Sequence, residues 1–105
     1  MIPRTLQQTI ANAKQYPYIK KVGIFGSHAR NDATMDSDLD ILFDYDNSHD
    51  DYLSNIGDFM VDIERVFQGK IDWVTVPGLM RSKDEHFQRN VLRDVLWLYH
   101  AQGVD

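Results

Sequence analysis

Asp38 and Asp40 stand one residue apart at the head of an apolar run, Ile41–Leu42–Phe43. Residues i and i+2 of a strand project from the same face, so this spacing sets two carboxylates side by side. Two anions held that close repel, and their pKa values are driven apart unless a cation lies between them. Burying them unpaired costs several kcal/mol. Magnesium resolves the conflict, because it takes carboxylate oxygens together with phosphate oxygens and water. Asp72 interrupts a second stretch that is otherwise apolar or β-branched, Ile71–Asp72–Trp73–Val74–Thr75–Val76. A carboxylate is unfavourable there without a partner. If the two stretches are neighbouring strands, three carboxylates converge, a set able to bind two metal ions and leave one oxygen to accept a proton.

Gly26–Ser27 supplies the opposite polarity. Glycine lets the backbone approach a ligand closely. A helical turn starting at Ser27 would aim a hydroxyl and free N–H groups at phosphate oxygens, and Arg30, one turn on, would add a charge-assisted contact. A calcium loop is the first rival, since Asp36, Asp38 and Asp40 match its first, third and fifth positions. It fails at the sixth, Ile41 instead of Gly, and at the twelfth, Asn47 instead of Glu. Of the four histidines only His28 falls within this loop; His49, His86 and His100 read as cap or surface residues. No Ser–His–Asp set, Walker pattern or dinucleotide pattern is present.

The elements that must position these groups follow from periodicity. Leu6, Ile10 and Ala13 predict a helix from Pro3 to about residue 16, ended by Tyr16–Pro17–Tyr18. Lys21–Phe25 reads as a buried strand, residues 28–37 as polar and turn-rich with one helical turn near His28–Asn31, and Asp38–Phe43 as a second strand. A long helix follows, with Ser48 as its cap, Asp51 as the reciprocal capping carboxylate and Gly69 as its C-terminal glycine. Its stripe of Tyr52, Leu53, Ile56, Phe59, Met60, Ile63, Val66 and Phe67 is core packing. Ile71–Val76 gives a third strand closed by Pro77–Gly78. Ser82 and Glu85 predict a capping box for a short helix carrying Phe87 and Val91, and Val95–Tyr99 an edge strand. The expected fold is α/β, an α+β sandwich: a small mixed sheet of about four strands with helices packed against it.

Size and charge narrow the function. The 105 residues, 43% hydrophobic, allow one modest core, so residues 1–105 are expected to form a single minimal domain. The net charge is -5, and Asp32 to Glu64 holds eleven acidic side chains with no Lys or Arg, the reverse of a nucleic-acid footprint. The absence of cysteine excludes disulfides and thiolate metal sites. No run approaches the ~20 apolar residues of a membrane helix, and the polar start is unlike a signal peptide, so a cytoplasmic protein is expected.

Taken together, Gly26–Ser27, the ten residues 28–37 and Asp38–Leu39–Asp40 resemble the signature of the polymerase-beta-type nucleotidyltransferase superfamily. The string GSHARNDATMDSDLDILF is most similar to the minimal nucleotidyltransferases (MNT), the antitoxin halves of prokaryotic HEPN–MNT toxin–antitoxin pairs. The resemblance spans nearly the whole chain and implies an adenylyltransferase using ATP as substrate. It implies that Gly26 and Ser27 hold the β- and γ-phosphates and that Asp38 and Asp40 bind two Mg2+ ions. Asp72 would bind metal and help deprotonate an acceptor hydroxyl, and Arg30 would assist the phosphates. The acceptor it implies is a tyrosine of a cognate HEPN ribonuclease toxin. Asn31 departs from the pattern, since many relatives have Gly there. Two other functions compete: an antitoxin that neutralises its partner by binding alone, and transfer to a small molecule or nucleic acid.

Overall fold

The computed structural model describes residues 4–101. Helix α1 runs over Arg4–Ala11, so the expected start at Pro3 lies outside the described residues. Instead of continuing to residue 16, the chain tightens into a 3-10 turn at Ala13–Gln15. Tyr16, forced toward extended backbone by the proline after it, ends the run at φ -109 and ψ 95. Then follow β1 (Ile19–Phe25), α2 (Gly26–Arg30), β2 (Leu39–Tyr45), α3 (Tyr52–Val66), β3 (Ile71–Thr75), α4 (Val76–Met80), α5 (Glu85–Asp94) and β4 (Leu96–His100).

The four strands form one mixed sheet in the order β3-β2-β1-β4, with β4 on an edge as expected. β1 is antiparallel to both β2 and β4, and β2 is parallel to β3 through the α3 crossover. Alternation along β2 divides the two faces. Leu39, Ile41 and Phe43 join Val22 and Ile24 of β1 in a core with Leu6 and Ile10 of α1 and Ile56, Phe59 and Ile63 of α3. Leu42, on the opposite face, joins Phe25, Leu79 of α4 and Val91 of α5 in a smaller core. Asp40 shares the face of Leu42, beneath the thinner layer of helices.

The expected helix ends shift where several polar side chains compete for one role. Ser48 does not cap α3; its N–H and hydroxyl both donate to Asp46, at 2.9 and 2.6 Å. Asp51 occupies the cap position without a side-chain cap hydrogen bond. At the other end Phe67, in extended backbone, is the C-cap rather than Gly69. For α5 the cap is Asp84, accepting from Phe87 N at 3.0 Å, while Ser82 accepts from Asp84 N. Asp84→Ala is therefore expected to lower stability by about 1 kcal/mol in urea unfolding, more than Ser82→Ala. Helix α4 is absent from the expectation, which placed Val76 in the third strand and a turn at Pro77–Gly78. Thr75 caps α4 by accepting from Gly78 N at 3.0 Å, and a proline in the first turn suits a helix start.

Candidate nucleotidyl-transfer site

The three carboxylates meet because of strand register. In the parallel β2/β3 pair Asp40 lies opposite Asp72, and in the β1/β2 pair it lies opposite Phe25, the residue before Gly26. β2 begins at Leu39, so Asp38 sits just before the strand rather than inside it. Leu39 N nevertheless bonds to Lys70 O at 2.9 Å, which fastens the start of β2 beside the start of β3. Asp38, Asp40 and Asp72 thus gather at one end of the sheet.

Asp40 carries the strain of that gathering. Its pKa rises from 3.8 to about 6, first through burial, then through the charge and hydrogen bond of Asp72 and the charge of Asp38; Arg30 opposes the rise. Lys70 reaches toward the outer pair, with its ammonium 3.9 Å from Asp38 and 3.8 Å from Asp72. This exposed ammonium is screened and easily displaced, but it shows where positive charge is drawn.

The turn that faces them has one permitted residue. Gly26 has φ 68, in the left-handed region that L side chains avoid, and a Cβ built there would overlap the Oδ2 of Asp40. α2 starts at Gly26, earlier than the turn expected at His28–Asn31. Phe25 is its N-cap and gives no side-chain cap hydrogen bond, so the first N–H groups have no partner from a cap. Asn31, at φ 64, ends the helix in the left-handed region, with its N–H on Ser27 O. A glycine there would be easier, but asparagine is among the residues that tolerate this conformation.

Arg30 is paired with two carboxylates. Its guanidinium is engaged by Asp94 at 3.0 Å and Asp32 at 3.3 Å, which ties α2 to the end of α5. Asp94 is held below the usual carboxylate range by hydrogen bonds from Arg93 and then Arg30. Arg30 therefore acts on Asp40 through its field while anchoring the loop. His28 packs edge-on against Phe67, with ring centroids 5.8 Å apart, and its Nε2 lies 3.5 Å from Ser37 O.

Among the described residues, no three His, Cys, Asp or Glu side chains form a cage able to hold a metal on their own. The donors nonetheless suit magnesium, since that ion is held by one or two carboxylates and completed by phosphate oxygens and water. The crowding at Asp40 and the pull on Lys70 mark a place where a cation relieves repulsion.

A Gly turn thus presses on a strand carboxylate whose register partner is a second carboxylate. The family model described as polymerase beta, nucleotidyltransferase matches residues 7–102. The chain belongs to this nucleotidyltransferase family. A proposed protein adenylyltransferase of Methanocaldococcus jannaschii is 30% identical over 88 residues, spanning 76% of this chain and 76% of its own length. Among solved structures, a proposed minimal nucleotidyltransferase superposes with TM-score 0.64 at 23% identity, covering 88% of this chain and 87% of that one. A chain from the complex of a tri-AMPylated Shewanella oneidensis HEPN toxin with an MNT antitoxin gives TM-score 0.56 at 16% identity, covering 94% and 73%. At these identities the two structures show a shared fold, which bears out the expected nucleotidyltransferase architecture.

Two residues of this candidate site escape a reading of the sequence. Lys70 was signalled only by lying two residues before Asp72, and Asp94 by nothing local, since it meets Arg30 across 64 residues of chain. A lone surface charge is usually solvated. Only the folded register gives these two a role.

Proposed function

We propose that this chain transfers AMP from ATP to a hydroxyl on a partner protein, a tyrosine of a HEPN-type ribonuclease toxin, and so acts as its antitoxin in the cytoplasm. The observation that carries the reading is the register of Asp40 on Asp72 with Gly26 pressed against Asp40. The 105 residues act as one minimal domain.

Gly26 and Ser27 present the turn and the helix start to the β- and γ-phosphates. Asp38, Asp40 and Asp72 would supply hard oxygen donors for magnesium, which would offset the charge of the triphosphate and of the attacking and leaving oxygens. Asp72, nearest the edge of the sheet, accepts the proton of the acceptor hydroxyl. The hydroxyl oxygen bonds to the α-phosphorus, the bond from the α-phosphorus to the bridging oxygen breaks, and pyrophosphate leaves. Arg30, held by Asp94, keeps the loop in place.

A relative named as a protein adenylyltransferase, and a fold shared with a complex of AMPylated HEPN toxin and MNT antitoxin, support the acceptor class. The shortage of basic surface argues against nucleic acid. Among the described residues no helix is long and apolar enough to cross a membrane.

The test is the intact mass of the protein encoded beside this chain, after incubation with the chain and magnesium ATP. A gain of one or more AMP units, lost with the double variant Asp38→Asn and Asp40→Asn, is expected. A stable complex without mass gain would overturn transfer in favour of neutralisation by binding, and neither complex nor adduct would point to another acceptor.

A further inference from the structure

Met35 is an apolar side chain left fully exposed in an otherwise polar loop, three residues before Asp38. It faces Val66, Phe67, Gln68 and Gly69 across a cleft of about 340 Å³. That volume is near the low end of the roughly 300–1,000 Å³ of small-molecule sites, enough for one heterocycle rather than a whole nucleotide. Both walls run along the chain toward the carboxylates: Gly69 precedes Lys70, whose ammonium lies 3.9 Å from Asp38 and 3.8 Å from Asp72, and Met35 lies three residues before Asp38. His28, next to Ser27, packs on the Phe67 ring.

We infer that this cleft receives the purine base of the nucleoside triphosphate, held between Met35 and Phe67, and that Gln68 selects adenine; the inference rests on the nucleotidyl-transfer reading above. Phe67 and Met35 offer an aromatic ring and a polarizable thioether, both suited to a flat base. Gly69 leaves room for the ring, because a Cβ there would lie 2.7 Å from Phe67 Cε2. Gln68 is exposed at the rim, and no hydrogen bond involves its side chain among the described residues. Its carboxamide carries a donor and an acceptor side by side, the pair that matches N6 and N7 of adenine. Guanine presents two acceptors on that edge, so one of the carboxamide's two bonds is lost. Met35 thereby has a purpose that neither packing nor catalysis gives it.

Calorimetric titration with magnesium present, using ATP, GTP and inorganic tripolyphosphate, tests the assignment. Met35 and Gln68 are exposed, so Met35→Ala and Gln68→Ala are expected to leave folding intact. Met35→Ala should weaken ATP about tenfold and leave tripolyphosphate unchanged, as expected for lost stacking. Gln68→Ala should remove a preference for ATP over GTP of about tenfold. Binding of ATP no tighter than tripolyphosphate, or unchanged by Met35→Ala, would overturn the base cleft and leave the phosphate site standing. Failure of the unaltered chain to bind either ATP or tripolyphosphate would overturn both.

Discussion

Gly26→Ala is expected to slow AMP transfer by about 10²-fold or more, far beyond its effect on folding. The added methyl group enters the space of Asp40 Oδ2, and the residue must also hold φ 68. The left-handed conformation costs an L residue about 1–2 kcal/mol, which a melting curve would register as a modest loss. The larger effect comes from displacing Asp40, because a shift of about 1 Å in a reacting group is enough for a 10²-fold loss. Gly57 provides the control. A Cβ there meets nothing within 4 Å, so Gly57→Ala, in the middle of α3, should gain roughly 0.5–1 kcal/mol and keep full activity. Equal rates for the two variants would show that the contact between Gly26 and Asp40 does not set the site.

Asp40→Asn should abolish transfer, by about 10³-fold or more, and at the same time make the metal-free protein more stable at neutral pH. A loss of that size corresponds to about 4 kcal/mol of transition-state stabilisation. The gain in stability follows from the raised pKa. Between pH 3.8 and about 6 the folded chain keeps a proton on Asp40 that the unfolded chain releases. Stability therefore falls as pH rises through that window, and the penalty is fully present above about 6. Asparagine has no proton to lose, so the variant escapes the penalty, and its advantage fades as pH drops below about 4. Allowing for solvent screening at this half-buried group, the gain is about 1–2 kcal/mol, several degrees of melting temperature. Melting curves at pH 4 and pH 7.5 without divalent cations measure it, and saturating magnesium should close the gap at pH 7.5. Equal melting temperatures at both pH values would refute the crowding of charge at Asp40.

Asp40 and Gly26 were legible because local rules place them: alternation within a strand and the freedom of glycine at a turn; Asp38, expected inside the strand, falls one residue before it. Asp72 was legible only as an interruption, and it acquired meaning from the pairing of β3 with β2. The helices α3 and α5 were visible from their apolar stripes, yet their caps were misplaced. Asp46, Ser48 and Asp51 all have short polar side chains near one helix start, as do Ser82 and Asp84 near another. Local sequence does not decide which of them wins. The bond of Arg30 to Asp94 was hidden for a different reason, since it depends on α5 docking beside α2 and no local pattern encodes that.

The opposition of Asp40 and Asp72 also limits how this chain can change length. Side chains alternate faces along β3, so a shift of one residue would place Ile71 or Trp73 opposite Asp40 and turn Asp72 toward α3. Insertions or deletions between β2 and β3 that alter this phase erase the carboxylate pair even when the hydrophobic core can re-form. The span of α3 and its exit is therefore expected to keep its phase wherever the Asp40–Asp72 pair is kept.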